Sequence, residues 1–410
     1  MTRFGAAQSA RVLRDGELAG ALERTERGAA FRYDAAYLER HRNDTGPLAG
    51  AIALHLPLQS EPHLVTGTNL HPFFAGLLPE GARLEALWRG VKSSAEDLLS
   101  LLAAAGADTI GDVGVVAEVG TSEATPMLDP ARAKEASFRE LLQRSLDYGQ
   151  GGDRVLAPGA QDKISAAMIS LPVNARSEAY ILKLEPRGFP RIVENEAFMM
   201  AVARNAGLRT ADSRVVHDRD GVSGLLVRRF DRIAAREAPS APGRLHVEDG
   251  CQLLDRYPAD KYAVSTTDLV RAIAEHSSTP ILDVATLIRL VAFSYAIANG
   301  DLHAKNVSLL LSPDRASLTM SPAYDLLTTL PYGDTSMALM VEGRDKKLRR
   351  AHFVALGERL GVRHAATQMI LDEVVRAVGS CIEHIGEIGF SSRQNAHLAR
   401  TLRQRCRDLD

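Results

Sequence analysis

The most apolar long stretch of the chain, ILDVATLIRLVAFSYAIANG (281–300), is followed at once by Asp301, His303, Lys305 and Asn306 within six positions. The stretch carries Asp283 and Arg289. Such charges suit a helix buried in a globular core better than a membrane span. The polar cluster then lies at the rim of that core, as a capped turn or as a site for charged chemistry. The 410 residues are too many for one small core, so two or three domains are expected. A net charge of -2 argues against a global pull toward nucleic acid or membrane, and any nucleic-acid contact must be a local patch. Cys251, Cys381 and Cys406 form neither a metal-ligand pattern nor a disulfide framework, which fits a reducing cytoplasm. The N-terminus has no apolar signal core.

ARVL and ELAGAL flank Arg14-Asp15-Gly16 and predict a hairpin, with GAAFRYD as a third strand. HPFFAGLLPEGARLEALWRG (71–90) has helical periodicity broken at Pro79. SSAEDLLSLLAAAG (93–106) reads as a helix with a serine N-cap and a terminal glycine. The polar stretch GTSEATPMLDPARAKE (120–135) is the best linker. From about 150 to 233 the pattern is β-rich, with AYILKLE and GLLVRRFDR as strands and NEAFMMAVARNAGL (195–208) as a helix. Beyond 250 helices dominate, interrupted by one hairpin of VSLLLS and SLTM.

The order of polar residues suggests phosphoryl transfer. That chemistry needs a carboxylate to take a proton from the attacking hydroxyl and oxygen ligands for Mg²⁺ on the phosphates. Asp301 and Asn306 have the Asp-x₄-Asn spacing of a kinase catalytic loop, and the hairpin returns the chain to Asp325. Asp301 is the expected base; Asn306 and Asp325 are the expected metal ligands. Capping and turning is the bland alternative for such residues. PGAQDK (158–163) follows a glycine-dense stretch and ends in a lysine, as a phosphate loop or an ordinary hairpin loop would. Lys183 interrupts an apolar strand, where a charge is costly unless paired, and Glu196 on the next helix is an available partner. EGRDKKLRRAH (342–352) is the densest basic run, either a phosphate-contacting patch or a solvated helix face. His303 has no second His or Cys cluster to make a zinc site.

Taken together, GAQDK, LKLEP, NEAFMMAVARNAGL, VRRFDR, EDGCQ, GDLHAKN and SPAYDL resemble the HipA-type toxin kinases, as do LPLQ and HPFFAGLLPEG nearer the start. The resemblance implies an α+β, two-lobed protein-kinase-like fold with an extra N-terminal β-rich subdomain and an all-helical C lobe. The implied division is 1–118 for the subdomain, 119–145 for a linker and connecting helix, 146–248 for the N lobe and 249–410 for the C lobe. It further implies ATP, Mg²⁺, serine/threonine specificity, a small helix-turn-helix antitoxin of the HipB type, and growth arrest through a target such as an aminoacyl-tRNA synthetase. Carried over by position, Asp301 is catalytic and Asn306 and Asp325 hold magnesium. Pro158, Gly159, Ala160, Gln161, Asp162 and Lys163 cover the phosphates, and Lys183, His303 and Lys305 contact or line them. Arg228, Arg229 and Phe230 border adenine, Tyr324 precedes the metal-binding Asp325, and Arg344, Lys346 and Lys347 match a region that meets DNA in the antitoxin complex. Two positions depart from the pattern. Leu156 stands where a regulatory serine is expected, unless Ser165 or another hydroxyl substitutes, and Arg228 stands at a hinge glutamate, leaving adenine to backbone contacts. An aminoglycoside-type phosphotransferase shares GDLH and the later Asn, and a kinase-shaped corepressor acting through an antitoxin is the non-enzymatic alternative.

Overall fold

A computed structural model describes residues 7–117, 128–141, 169–233 and 243–410, apart from positions 68, 92, 93, 95, 107, 108, 176, 177 and 187. The chain opens with the antiparallel strands β1 (Ser9–Arg14), β2 (Glu17–Thr25) and β3 (Gly28–Tyr33), joined later by β4 (His63–Thr66) and β5 (Val113–Ala117) in the order β4-β3-β2-β1-β5. Asp15 and Gly16 both take positive φ, 48° and 86°, the geometry a two-residue hairpin of this twist requires. The buried face of the sheet, with Val12, Leu22, Phe31 and Val115, packs on α2 (Pro72–Gly76) and α4 (Leu98–Ala105), burying Phe73, Phe74, Leu99 and Leu102. A further helix, α1 (Ala35–His41), follows β3, and α3 (Gly81–Val91) lies between α2 and α4. The helical periodicity does break around Pro79, between α2 and α3. The cap of α4 differs from expectation. It is Asp97, whose carboxylate accepts from the Ser100 N–H at 3.1 Å, because the continuous apolar turn starts only at Leu98.

The second layer is a four-stranded antiparallel sheet of β6 (Ile169–Ala175), β7 (Glu178–Leu184), β8 (Ser213–His217) and β9 (Ser223–Arg228), ordered β6-β7-β9-β8. One face takes α5 (Ile192–Asn205), against Leu225 and Val227. The other is covered by Leu128, Ala133, Phe138 and Leu141, which pack on Leu171, Val173, Leu182 and Leu184. Within the stretch 119–145, expected as a linker and connecting helix, residues 128–141 are thus seated on the sheet. The apolar residues of this segment follow neither the helical nor the strand period, yet they close the outer face of the sheet. Short strands β10 (Arg232–Ile233) and β11 (Gly243–Arg244) lead out of the lobe.

The last part is built around helices. After β12 (Val247–Asp249) come α6 (Gly250–Leu253), α7 (Thr266–His276) and α8 (Pro280–Ala296), then the hairpin β13 (Ser308–Leu311) and β14 (Leu318–Met320), and finally α9 (Arg350–Arg359), α10 (His364–Cys381) and α11 (Ser392–Leu409). The most apolar stretch is α8, and Leu287, Ile288, Val291, Ala292 and Phe293 on it are fully buried against its neighbours. Its two charges are satisfied locally. Asp283 accepts from the Ser277 and Thr279 hydroxyls, and Arg289 donates to the Ala206 carbonyl at 2.7 Å and pairs with Glu373. Among the described residues no helix is long and apolar enough to cross a membrane.

Candidate active site

The chain leaves α8 through Ala298, a left-handed residue with φ 59°, whose carbonyl accepts from the Thr329 N–H at 3.0 Å. Gly300, two residues later, is required by lack of space. A Cβ there would stand 2.5 Å from the Ser336 carbonyl oxygen, so close approach of two backbones excludes a side chain. Asp301 follows, 2% exposed. Its N–H donates to the Asn299 side-chain oxygen at 2.9 Å, and its Oδ1 accepts from the Tyr262 hydroxyl at 2.8 Å. His303 is buried with its ring edge-on to Tyr262, centroids 5.0 Å apart.

The loop closes with one 3₁₀ turn over Ala304–Asn306. Asn306 Nδ2 donates to Asp325 Oδ2 at 3.2 Å, while Asn306 Oδ1 is buried with no hydrogen-bond partner among the described residues. Asp325 has φ 58°, a strained conformation for a non-glycine residue and one that recurs at functional sites. Its other oxygen pairs with Lys183 Nζ, which also donates to Glu196 Oε1 at 2.7 Å. Lys183 stands opposite Leu225 in the sheet register, on the face that takes α5, which is why it can reach Glu196. A strand, a helix and two loops thus bring Lys183, Glu196, Asn306 and Asp325 into one bonded chain. Burial disfavours the Lys183 ammonium, but the carboxylates of Asp325 and Glu196 outweigh it and hold its proton above the ordinary lysine value. Burial pushes the Glu196 carboxyl up to about 7 against the pull of Lys183, with repulsion from Asp325 adding to the rise.

The other anticipated residues are placed as follows. Lys305 Nζ is held by Asp249 Oδ2 at 2.5 Å and the Gly76 carbonyl at 3.3 Å. The Tyr324 hydroxyl donates to the Lys305 carbonyl at 2.8 Å, and its ring tilts against Phe230 at 5.7 Å. Arg228 is exposed and pairs with Glu178 at 3.1 Å. The Arg229 guanidinium is buried on Asp231 and the Thr109 carbonyl, so its side chain ties the sheet to the N-terminal subdomain. Any hinge contact from Arg229 would come from backbone. Pro158 to Lys163, Leu156 and Ser165 lie outside the described residues. Lys346 and Lys347 line a concavity of about 330 Å³ with His397, Arg400 and Arg405 of α11, and the Arg344 backbone bridges Val341 just before it. Arg349 and Arg350 are instead paired with Asp408 and Asp372.

Three contributors escape sequence reasoning. Asn195 is fully buried; its amide donates to the Thr328 carbonyl at 2.9 Å and accepts from the Thr328 N–H at 3.1 Å, fastening α5 to the segment after Asp325. Adjacent Asn195 and Glu196 on a buried helix were a legible signal. Tyr262 carried none, and Asp249 was visible only within the EDGCQ likeness. Among the described residues no three His, Cys, Asp or Glu side chains cluster as a metal site. The orphaned Asn306 oxygen beside Asp325 nevertheless suits Mg²⁺, which takes one or two protein oxygens and completes its shell with phosphates and water.

Comparison with known proteins places the chain in a family. Residues 155–382 match the HipA-like C-terminal domain, and residues 10–116 match the HipA N-terminal domain. The chain is 30% identical to "Putative kinase Y4mE" of Sinorhizobium fredii over 94% of each protein. It is 24% identical to the serine/threonine-protein kinase toxin HipA of Shewanella oneidensis over 78% of each. In structure it superposes with a TM-score of 0.72 and 20% identity on a chain of the Shewanella oneidensis complex of HipA, HipB and operator DNA, covering 97% of this chain and 96% of that one. The kinase-like α+β fold is shared along nearly the whole length, and the chain belongs to the HipA family of toxin kinases.

Proposed function

We propose that this protein is an ATP- and Mg²⁺-dependent serine/threonine protein kinase, the toxin of a toxin–antitoxin pair, acting on a translation protein such as an aminoacyl-tRNA synthetase. The observation that carries the reading is the bonded chain Glu196–Lys183–Asp325–Asn306 beside the loop that bears Asp301. A buried carboxylate, a second one only partly exposed, an ammonium and an unpartnered amide oxygen are costly in a fold, and such groups gather where phosphate charge must be met. Asn306 Oδ1 and Asp325 would hold Mg²⁺, which neutralises charge on the phosphates when bound. Lys183, held by Glu196, meets the phosphates from the strand side. Asp301 orients the substrate hydroxyl and accepts its proton as the oxygen attacks the γ-phosphorus; the bond to the ADP oxygen breaks as the new P–O bond forms. The relatives named as kinases, one of them a serine/threonine kinase toxin, support the activity. The relative solved with HipB and operator DNA supports an antitoxin of that type and DNA as partners, with Lys346 and Lys347 available to backbone phosphates.

The test is transfer of label from ATP to protein in a desalted cell extract, with aminoglycosides as competing acceptors. Wild type is expected to label a protein band, and Asp301→Ala to lose about 100-fold or more of that rate while still binding nucleotide. Label on an aminoglycoside instead, or an Asp301→Ala variant as active as wild type, overturns the reading.

A further inference from the structure

The segment after α6 touches both ends of the catalytic loop. The Lys261 carbonyl accepts from the Ala304 N–H at 3.2 Å. One residue on, the Tyr262 hydroxyl holds Asp301 Oδ1 at 2.8 Å, and the Tyr262 ring meets His303. This segment is in turn gripped from the N-terminal subdomain. Glu80, between α2 and α3, places Oε2 2.6 Å from Lys261 Nζ and Oε1 4.0 Å from Lys305 Nζ. Lys305 is the residue before Asn306 and also bonds the carbonyl of Gly76. One carboxylate of the subdomain therefore faces two ammonium groups, one on the segment that carries Tyr262 and one inside the loop itself. Both lysine side chains are largely shielded, 12% and 13% exposed, while Glu80 is 31% exposed, so solvent screens these pairs only in part.

A carboxylate on a short side chain turns broadly about its last torsion. A general base works only when one oxygen meets the substrate hydroxyl in line with attack, and small errors of placement cost large factors in rate. The Tyr262 hydroxyl removes that freedom by fixing Oδ1. We propose that Tyr262 is a positioning residue for Asp301, and that Glu80 sets Tyr262 through Lys261, making the N-terminal subdomain part of the catalytic apparatus. The proposal rests on the kinase reading above, with Asp301 as base.

The experiment is the same label-transfer assay, less a no-enzyme blank, run on full-length wild type, Tyr262→Phe, Glu80→Gln, Asp301→Asn and the double variant Tyr262→Phe/Asp301→Asn. Tyr262→Phe deletes one hydroxyl and keeps the ring against His303. Its maximal rate is expected to fall about 10- to 100-fold, the scale of a hydrogen bond to a charged group, with the KM for ATP changed less than about 2-fold. Glu80→Gln should fall about 3- to 10-fold with KM again held, because it acts at one remove. Loss of Tyr262 in the Asp301→Asn background should cost nothing more, since a residue that acts through Asp301 has nothing left to position. A merely structural tyrosine would multiply its loss onto Asp301→Asn or raise the KM. Tyr262→Phe at the wild-type rate, or a loss that persists in the double variant, overturns the proposal while Asp301→Asn stays far below wild type but above the blank. Should Tyr262→Phe fail to fold, Glu80→Gln decides the matter alone, and its wild-type rate overturns the proposal. Asp301→Asn as active as wild type would instead sink the kinase reading beneath it.

Discussion

His246 offers a prediction whose sign and size can be worked from geometry. It is 1% exposed, with Nδ1 2.8 Å from Asp112 Oδ1 and Nε2 2.9 Å from Glu248 Oε1. Ionised carboxylates only accept hydrogen bonds, so both ring nitrogens must donate and the imidazole is charged. Burial disfavours that charge, but Asp112 and then Glu248 outweigh it, and the pKa is pushed up from 6.5 to about 9. Asp112 belongs to the N-terminal subdomain, where Arg14 also holds it at 3.1 Å, and Glu248 in β12 accepts from the Leu54 N–H at 2.8 Å. The charged ring is a clasp between the subdomain and the kinase lobes. A histidine raised on folding contributes stability that is complete below the unfolded pKa of 6.5 and is lost as pH climbs through 9. At about 1.4 kcal/mol per pH unit the loss across that window is about 3 kcal/mol. The single tryptophan, Trp88, lies in α3 and reports on the subdomain. Urea unfolding followed by Trp88 fluorescence should show the midpoint falling by roughly 1–3 M between pH 6.5 and 9. His246→Gln should be less stable at pH 6.5 and should lose most of that slope, so the two curves converge as pH rises. Parallel curves would show that His246 carries no proton in the folded state and would refute the clasp.

Lys183→Met leaves the buried Glu196 beside the partly exposed Asp325 without their shared cation. It should cost about 3–5 kcal/mol at pH 7.5, and less at pH 5.5, where Glu196 takes up a proton; unfolding free energies at the two pH values check this, and label transfer should be lost at both. Lys346→Glu with Lys347→Glu should weaken operator binding by the antitoxin complex and reduce its salt slope by about 2, read from binding isotherms at several salt concentrations. Because Leu156 stands where a serine would be modified, intact mass after ATP incubation should show no phosphate on residues 154–165.

Much of this was legible because it was local. The apolar run of α8, the Asp15-Gly16 hairpin and the break near Pro79 each depend on neighbours in sequence. Lys183 and Glu196 could be paired in advance because a lone charge in an apolar strand demands a partner, and the following helix offered one. The packing of 128–141 was not legible for the converse reason. Leu128, Ala133, Phe138 and Leu141 fit neither the helical nor the strand period, so only the sheet they cover reveals their purpose. The cap of α4 slipped from serine to Asp97 because several capping residues precede the helix and only the first apolar turn chooses among them.

What sequence could not show is how the subdomain and the catalytic loop are joined. Those contacts connect residues more than 130 positions apart: Asp112 to His246, Glu80 to Lys261, and the Phe73 carbonyl to the Gln252 amide at 2.9 Å. EDGCQ, visible beforehand only as a likeness, acquires physical meaning here. Asp249 and Gln252 form the capping box of α6; the Gln252 amide then reaches the subdomain and the Asp249 carboxylate holds Lys305. One helical turn therefore binds two partners that no periodicity relates. Strand and helix patterns report which face of an element is buried, but a buried polar side chain reports only that a partner exists. His246, Asp249 and Glu248 each have one partner in the subdomain or the catalytic loop besides their local ones. In this chain the least legible residues are thus the ones that make the N-terminal subdomain and the kinase lobes a single working unit.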